Sequence, residues 1–313
     1  MEKKIFVIAG ATATGKTAVA IELAKKMSGE IISADSMQVY RGMDIGTAKP
    51  TAEEMEKIPH YLIDVINPDE QFSAAEFQKK ANAAIEEIHS RGRTPIIAGG
   101  TGFYINAVLY GAEFSSENNE REEELRENFA TLAREKGAEF LHEKLSIADP
   151  EYAATIHPNN VKRVARALAY CEATGGLFSE YNAVQKEKKV TPLFDSVFCV
   201  LSINREILYE RINARTFSMF EAGLVDEVHN LLAKGYHKGL AAMQGIGYKE
   251  TVQFINGELA QAEAIAAIQQ ATRNYAKRQE TWFRNQTPNA YVLNAEGKTP
   301  EELAEEILRM KGR

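Results

Sequence analysis

The sequence predicts an α/β protein with a helix-covered parallel sheet and an all-helical insertion in the chain. Short runs of apolar, β-branched residues alternate with stretches of helical periodicity at both ends of the chain, as is typical of a parallel sheet. A glycine-rich segment follows the first of these runs and leads directly into a helical stretch. Between residues 115 and 189 the apolar spacing is helical, and no strand-like run interrupts it.

The individual elements follow from this alternation. Strands are expected at residues 4–9, 30–34, 61–65, 93–98, 196–201 and 290–293. Helices are expected at residues 17–27, 73–89, 122–134, 159–173, 258–284 and 300–309. The helix at 73–89 carries a capping box, with Ser73 as the cap and Glu76 three residues later. We therefore expect an α/β core from residues 1–114 and 190–313, with C-terminal helices, and a helical insertion domain at 115–189.

Composition and charge exclude several classes of protein. The 313 residues are 44% hydrophobic, which is enough apolar surface to fold into one or two domains. The net charge of −7 argues against indiscriminate binding to nucleic acid, although a local basic groove remains compatible with it. No apolar run approaches the roughly 20 residues of a membrane span, and the N-terminal run is too short for a secretion signal. The two cysteines, Cys171 and Cys199, are far apart in the sequence and are interpreted as buried thiols. Together, these features favour a cytoplasmic protein.

The glycine-rich segment matches the phosphate-loop pattern G-x-x-x-x-G-K-[ST] without a mismatch. It consists of Gly10, Ala11, Thr12, Ala13, Thr14, Gly15, Lys16 and Thr17. In such a loop the backbone amides and the helix N-terminus attract phosphate, Lys16 adds a full charge, and the Thr17 hydroxyl can bind Mg²⁺. A glycine-rich turn with a solvent-facing lysine is the alternative, which the flanking strand and helix disfavour. The pattern predicts a core of the phosphate-loop NTPase type and a di- or triphosphate site, without identifying the ligand.

Two further polar residues follow predicted strands. Asp35 comes after the second strand, and it shares the rim of the phosphate loop if the two strands are neighbours. A carboxylate there could hold Mg²⁺ or accept a proton, although an aspartate that begins a turn is equally common. Thr101 follows Gly99 and Gly100, and it either reaches the same crevice or belongs to a tight turn. The metal-holding acid of an ATPase would end an apolar strand, and only Asp64 resembles one, which weakens an ATPase reading.

A set of motifs extends along nearly the whole chain. Besides residues 10–17, these are Asp-Ser-Met-Gln-Val-Tyr at 35–40, Asp-Ile-Gly-Thr-Ala-Lys-Pro at 44–50, Gly-Gly-Thr-Gly-Phe-Tyr at 99–104, His-Pro-Asn-Asn at 157–160, Gly-Ile-Gly-Tyr-Lys-Glu at 245–250 and the basic segment 272–284. In this order they resemble the tRNA dimethylallyltransferase family, also called tRNA isopentenyltransferases. Residues 119–124 depart from the family pattern, because they lack its proline-rich approach.

The resemblance implies a prenyl transfer. A five-carbon group would move from dimethylallyl diphosphate to N6 of the adenosine 3′-adjacent to the anticodon of a tRNA, releasing diphosphate. The phosphate loop, a motif otherwise associated with ATP, would then hold the diphosphate. Mg²⁺ would be the cofactor, bound at Thr17. The resemblance makes Lys16, Asp35 and Thr101 catalytic, with Asp35 accepting the N6 proton, and it makes Arg215 a further diphosphate contact.

The same resemblance implies where tRNA binds. It assigns tRNA contacts to Asp35, Ser36, Met37, Gln38, Thr101, Arg126, Asn159, Asn160, Val161, Lys162, Arg163, Arg166, Gly245, Lys277, Arg278 and Arg284. Ser36 and Gln38 would read the base, which must leave its stack. Basic residues cluster at 162–166 and 272–284, where they could follow phosphates. Without the resemblance, two solvated helix faces would be the better interpretation of these clusters.

Two other functions stay open at this point. A small-molecule kinase could use the phosphate loop with ATP, although no clamp for a nucleotide base is recognisable. A non-catalytic RNA-binding module is disfavoured by the intact Lys16, Thr17 and Asp35. The expected partners are the tRNA anticodon loop and dimethylallyl diphosphate, with no membrane and no obligate protein partner, and a monomer is expected.

Overall fold

The computed structural model describes residues 4–111, 119–188, 192–287 and 289–310. The chain divides into two compact units, residues 1–109 with 193–313 and residues 110–192. The expected insertion, residues 115–189, falls within the second unit. Each unit is described by itself.

The first unit contains a six-stranded sheet in the order β3-β2-β4-β1-β5-β6. Its strands are β1 (Lys4–Gly10), β2 (Gly29–Ser33), β3 (His60–Tyr61), β4 (Thr94–Gly99), β5 (Asp195–Ser202) and β6 (Tyr291–Asn294). Every pair of neighbouring strands is parallel, so the predicted sheet type is confirmed. Because all strands run the same way, the loops after their carboxyl ends lie along one edge of the sheet.

The helices are spread over both units. In chain order, the described helices are α1 (Lys16–Met27), α2 (Ala74–Ser90), α3 (Gly102–Tyr110), α4 (Asn119–Lys136), α5 (Ala138–Ala148), α6 (Pro150–Ala153), α7 (Val161–Thr174), α8 (Phe178–Lys188), α9 (Arg205–Glu221), α10 (Leu224–Ala233), α11 (Tyr248–Ile255), α12 (Gln261–Gln286) and α13 (Pro300–Leu308). The capping box that begins α2 is present, with Ser73 and Glu76 each bonding the other's backbone amide.

Strand β1 is buried on both faces, which explains its uninterrupted apolar sequence. Phe6 and Ile8 belong to the apolar cluster that includes α1 and α13. Ile5 and Val7 alternate with them, point to the opposite face and are also fully buried. Apolar residues therefore pack against both faces of β1. This packing fixes the end of the strand, from which the phosphate loop begins.

The structure differs from the sequence prediction around residues 61–65. Only His60 and Tyr61 are paired as a strand there, next to β2. Leu62 and Asp64 have φ angles of 63° and 55°, which an extended strand cannot contain. The chain bends at these residues, and Ile66 then forms a parallel bridge with Tyr40. The apolar, β-branched run predicted a longer strand because composition does not reveal such a bend.

In the described residues of the second unit, the regular secondary structure is entirely helical, and turns join the helices. Helices α4 to α8 pack around buried residues that include Leu141, Leu145, Val164 and Phe178. Asp149 is fully buried between α5 and α8, and its carboxylate accepts backbone amides from Tyr152 at 3.0 Å and Ser179 at 2.7 Å. These bonds satisfy the buried charge and hold the start of α6 and the first turn of α8 together.

Two further sequence expectations concern single features. Cys199 is buried as expected, whereas Cys171 is partly exposed, and both are free thiols. Across the described ranges, no helix combines the length and the apolar character that a membrane crossing requires.

Candidate active site

The phosphate loop and Asp35 line one cavity of about 600 Å³ at the carboxyl edge of the sheet. Strands β1 and β2, which these residues follow, are not neighbours, because β4 lies between them. Asp35 nevertheless shares the cavity with Lys16, since all three strands end at the same edge. The residue before Asp35 packs closely against the end of β4, since a Cβ at Gly99 would lie 2.2 Å from the carbonyl oxygen of Ala34. The absence of a side chain at Gly99 therefore allows this close approach.

The phosphate loop owes its curvature to three residues with positive φ angles. These are Gly10 at 146°, Ala13 at 64° and Gly15 at 89°, immediately before α1 begins. Glycine is required at position 10, because a Cβ there would lie 2.7 Å from the Leu201 carbonyl oxygen. The Thr14 hydroxyl donates to the carbonyl oxygen of Ala11 at 2.8 Å and closes the loop internally.

Lys16 is turned towards its own loop. Its Nζ donates to the carbonyl oxygen of Ala11 at 2.6 Å. Burial lowers the pKa of Lys16 to about 8; the Asp35 carboxylate opposes this shift, and the Arg215 guanidinium adds to it. A bound anion would replace the lost hydration of this ammonium group. Thr17, the next residue, is exposed on the cavity, and no hydrogen bond of its hydroxyl is found in the described part of the chain.

Arg215 brings a second positive charge to the loop from α9. Its Nη2 donates to Thr12 Oγ1 at 2.7 Å. Burial lowers the pKa of Arg215, and the neighbouring Asp35 carboxylate counteracts the shift. The structure thus brings together the phosphate loop, Asp35 and Arg215. The strand pattern had already suggested that Asp35 lies near the loop, whereas only the family resemblance had added Arg215.

Asp35 is held by the backbone that follows it. Its Oδ1 accepts hydrogen bonds from the amides of Met37 at 2.9 Å and Gln38 at 3.4 Å. Among the described residues, none donates a hydrogen bond to Oδ2. The amide of Ser36 donates to Thr101 Oγ1 at 3.1 Å, which ties the turn after β2 to the turn after β4. The result is a fixed carboxylate with one oxygen available to a ligand.

The side chain of Gln38 is engaged within the protein. Its Oε1 accepts from the Ser33 hydroxyl at 3.0 Å, and its Nε2 donates to the carbonyl oxygens of Ala48 at 3.3 Å and Thr47 at 3.5 Å. The side-chain amide of Gln38 therefore has to exchange at least one of these partners before it can form a pair of hydrogen bonds with a base.

A second cavity, of about 270 Å³, adjoins the first and shares Thr12, Asp35 and Arg215 with it. Its apolar lining comes from Met37, Met219, Ile246 and Ile268. Gly245 lies in the same lining, where a Cβ would approach Met37 Cε to 2.4 Å. Asp35 thus lines both the cavity that contains the phosphate loop with Lys16 and the smaller cavity with the apolar lining.

Sequence reasoning missed the carboxylate that joins two of the motifs. Glu227, on α10, accepts the amides of Asp44 at 2.9 Å, Ile45 at 2.7 Å and Gly46 at 3.1 Å, and the hydroxyl of Tyr248 at 2.6 Å. A Cβ at Gly46 would lie 2.5 Å from the Tyr248 ring. In the sequence, only the glycines of the motifs at 44–50 and 245–250 indicated that these two segments approach each other so closely.

Asp64, the one acid that resembled an ATPase metal ligand, has a different role. Its Oδ1 accepts from Lys49 Nζ at 2.6 Å, and Lys49 also binds Asp44 and the carbonyl oxygen of Tyr40. The Lys49 side chain is only 5% exposed, so Asp64 neutralises a buried cation. No group of three or more His, Cys, Asp and Glu residues suited to a metal ion occurs in the described ranges.

Sequence reasoning also gave no role to two buried polar residues of α12. Tyr275 lines the second cavity, and its hydroxyl lies near the polar side chains of Thr101 and Gln279, which act against the rise of its pKa. Burial is the main cause that raises the pKa of Tyr275, so the hydroxyl stays protonated. Tyr275 and Gln279 are four residues apart and therefore lie on the same, inner face of the helix. This spacing was the sequence signal that both could contribute to one site.

The exposed side of α12 carries the basic residues of the predicted tRNA site. Lys277, Arg278 and Arg284 are exposed, and the Arg278 guanidinium lies 5.6 Å from the centre of the Tyr275 ring. Arg273 differs from them, because its Nη1 donates to Asn213 Oδ1 at 2.6 Å. This helix therefore presents three cations to solvent and one to its neighbour α9.

The second unit exposes polar and basic residues at the start of α7. Asn159, Asn160, Lys162 and Arg163 are exposed there, and Val161 is the first helical residue. The Arg166 guanidinium is instead half-buried, 5.6 Å from the centre of the Phe178 ring. Arg126 on α4 forms an ion pair with the buried carboxylate of Glu122. The exposed group, at a helix N-terminus, is the part of this unit best suited to phosphate.

Comparison with known proteins identifies the family. The family model described as IPP transferase matches residues 38–286, which is most of the chain and begins after both the phosphate loop and Asp35. The chain belongs to the IPP transferase family. It is 47% identical over 308 residues to the tRNA dimethylallyltransferase of Caldanaerobacter subterraneus subsp. tengcongensis, with 98% of this chain and 97% of that protein covered. It is 48% identical over 312 residues to the tRNA dimethylallyltransferase of Geobacillus thermodenitrificans, covering 99% and 96%.

Solved structures of IPP transferases agree with this assignment. The tRNA delta(2)-isopentenylpyrophosphate transferase of Staphylococcus epidermidis has a TM-score of 0.70 and 46% identity, with 97% of each chain covered. A eukaryotic dimethylallyltransferase solved acting on tRNA has a TM-score of 0.81 and 32% identity, covering 95% of this chain and 75% of that one. The protein is therefore a transferase, as the sequence predicted, and neither a kinase nor a non-catalytic RNA-binding module.

Proposed function

We propose that this IPP transferase moves the dimethylallyl group of dimethylallyl diphosphate to N6 of the adenosine 3′-adjacent to the anticodon of tRNA, releasing diphosphate. One observation carries the proposal. Asp35, with a carboxylate oxygen that no described residue binds, lines the same cavity as the phosphate loop, Lys16 and Arg215. The names of the relatives, which are tRNA dimethylallyltransferases, support the choice of donor and acceptor.

The phosphate-loop side of the larger cavity holds the diphosphate. Loop amides, Lys16 and Arg215 stabilise negative charge on the leaving group as the bond between the allylic carbon and oxygen breaks. Lys16 exchanges the Ala11 carbonyl oxygen for a phosphate oxygen. Thr101 lies beside Asp35, through its bond with the Ser36 amide, and completes this side of the site.

Asp35 serves the acceptor. A neutral exocyclic amine becomes a good nucleophile only if its proton is removed as the carbon–nitrogen bond forms. The free Oδ2 accepts that proton, while the amides of Met37 and Gln38 keep Oδ1 in place. The apolar wall of Met37, Met219 and Ile246 excludes water from the five-carbon group, which water would otherwise capture.

Mg²⁺ is the proposed cofactor, and the residues present fit it. Mg²⁺ usually binds one or two protein oxygens and completes its shell with substrate phosphates and water. Thr17 offers an exposed hydroxyl on the cavity at the N-terminus of α1, beside Lys16. The ion supplies charge neutralisation for the diphosphate when it is bound.

The exposed basic residues are the proposed contacts with tRNA phosphates. They are Lys277, Arg278 and Arg284 on α12, and Lys162 and Arg163 with the neighbouring asparagines at the start of α7. Their local positive charge lets a protein of net charge −7 bind RNA. The proposed location of the reaction is the cytoplasm, which a tRNA substrate supports.

A direct assay tests the proposal. The purified chain is incubated with Mg²⁺, dimethylallyl diphosphate carrying a labelled prenyl group, and an unmodified tRNA transcript with adenosine 3′-adjacent to the anticodon. We expect label in the tRNA, and none in a matched transcript with guanosine at that position. A parallel reaction with γ-labelled ATP should transfer no phosphate to the RNA. Label in the guanosine transcript, or none in either RNA, would refute the proposed acceptor.

A further inference from the structure

One amide of the phosphate loop is bonded to a side chain from the far end of the sequence. The amide of Thr12 donates to Gln279 Oε1 at 2.8 Å, across 267 residues of chain. The Nε2 of the same side chain donates to the carbonyl oxygen of Gly100 at 2.9 Å. Gln279 is only 5% exposed, so water cannot substitute for either bond. A single amide group therefore connects the loop after β1 with the loop after β4.

The surroundings leave little freedom for this side chain. A Cβ at Gly100 would lie 2.2 Å from Gln279 Nε2, so the glycine provides the space that the amide occupies. The hydroxyl of Tyr275, one helical turn earlier, lies near the side chains of both Gln279 and Thr101. Thr101 Oγ1 in turn accepts the amide of Ser36. Gln279 thus bonds the phosphate loop to Gly100, and Thr101, the residue after Gly100, bonds the turn that carries Asp35.

We infer that Gln279 is a positioning residue that sets the phosphate loop relative to the Thr101–Asp35 side of the site. The inference rests on the proposed function, in which these two sides hold the leaving group and the acceptor. Gln279 acts through Thr12 on one side and Thr101 on the other. The hydroxyl of Thr12 also accepts a hydrogen bond from Arg215. Because it bonds one donor and one acceptor at fixed positions, only a group that both accepts and donates can replace it.

This requirement gives a test that a mere packing role would not pass. Gln279→Met keeps the approximate volume and removes both hydrogen bonds. Gln279→Glu keeps the shape, but its carboxylate cannot donate to the Gly100 carbonyl oxygen, whereas its protonated form can. Burial raises the pKa of such a carboxyl. The activity of Gln279→Glu relative to the native enzyme should therefore increase as the pH falls from 8.5 to 5.5.

The ratio isolates the introduced group. Tyr275 is the titratable side chain in contact with position 279, and Lys16, Asp35 and Arg215 lie on the adjacent cavities. These groups are present in both enzymes, so their contributions largely cancel in the ratio. Gln270→Glu, an exposed position on the same helix, is the matched control and should give a flat ratio.

The expected results are specific. For Gln279→Met, kcat/KM for dimethylallyl diphosphate should fall about tenfold, the loss expected when a buried hydrogen-bonded pair is broken. Its tRNA affinity should stay within about twofold, because the exposed Lys277 and Arg278 are untouched. The ratio for Gln279→Glu should rise severalfold towards low pH. Thermal melting of each variant reports whether it is folded.

Two results would overturn the inference. One is a Gln279→Met enzyme whose kcat/KM stays within twofold of native, and the other is a Gln279→Glu ratio that does not change with pH. The second measurement decides the matter if Gln279→Met does not fold. Both comparisons require an active native enzyme. An inactive native enzyme would instead count against the proposed function, so the two failures are distinguishable.

Discussion

The hydroxyl of Tyr248 donates a 2.6 Å hydrogen bond to Oε1 of Glu227, and this contact fastens two distant segments together. Tyr248 is fully buried at the start of α11, and its ring lies against Gly46. Because Glu227 also accepts the amides of residues 44–46, one carboxylate holds the loop that continues to the cavity wall at Thr47 and Ala48.

The first prediction concerns the stability that this carboxylate provides. Glu227→Gln replaces one acceptor oxygen with a donor, which leaves at least one of four hydrogen-bond donors without a partner. The free energy of unfolding should fall by about 1–3 kcal/mol. Urea denaturation followed by circular dichroism measures the change. Glu258→Gln, at an exposed position, should stay within about 0.5 kcal/mol of native, and an equal effect at both positions would contradict the role of Glu227.

The second prediction concerns the general base. Asp35→Asn keeps the size of the side chain and the acceptor for the Met37 amide, but it cannot take up the N6 proton. We expect kcat to fall by roughly 10²–10⁴-fold, with tRNA affinity unchanged within about twofold. Single-turnover kinetics and filter binding give the two values. Asp69→Asn, an exposed aspartate, is the control, and native-like turnover of Asp35→Asn would remove Asp35 as the base.

The third prediction concerns the pH dependence that arises from Lys16. Its pKa is lowered to about 8, so in the free enzyme the ammonium form dominates below that pH and is lost above it. The value of kcat/KM for dimethylallyl diphosphate, which reports on the free enzyme, should therefore decline as the pH rises through about 8.

Lys16→Arg serves as the control for this profile, because a guanidinium keeps its charge throughout the range. Its profile should lack the decline near pH 8, whatever its absolute activity. A native profile that stays level up to pH 9.5 would show that the charge of Lys16 does not limit donor binding.

The fourth prediction concerns Arg215. Arg215→Met removes the charge and the hydrogen bond to Thr12 Oγ1 while preserving much of the side-chain volume. Binding of inorganic diphosphate should weaken about tenfold or more, as measured by isothermal titration calorimetry. Arg309→Met, on a side chain that is 79% exposed, should bind diphosphate like the native protein. Equal affinities of the Arg215 variant and the native protein would place the diphosphate away from Thr12.

The fifth prediction concerns the start of α7. Replacing both Lys162 and Arg163 with Gln removes two exposed cations, so tRNA binding should weaken and its salt dependence should flatten. The slope of log affinity against log salt should fall in magnitude by roughly 1.5. Lys136→Gln, at an exposed position in the same unit, should change neither quantity. An unaltered slope in the double variant would move the RNA site elsewhere.

Local patterns determined the parts of the fold that depend on neighbouring residues. The apolar run before Gly10 and the helical spacing after Lys16 predicted the strand, loop and helix of the phosphate site, all of which the structure contains. Alternation along the chain predicted the parallel sheet, and parallel strands align their ends, so Asp35 could be expected near the phosphate loop. The family resemblance then supplied the chemistry of these residues.

Tertiary structure alone decided which distant residues complete the site. Glu227 on α10 and Gln279 on α12 bond to loop residues that lie 179 to 267 positions away in the sequence, and they reach them only after the helices pack. Tyr275, which lies near Thr101, is likewise brought to the site only by the packing of α12. The bend that shortens β3 was also invisible, because Leu62 and Asp64 adopt positive φ angles against their intrinsic preference. Periodicity in sequence records which side of an element is buried. The partner that a buried polar group finds depends on packing, and packing is a property of the folded chain.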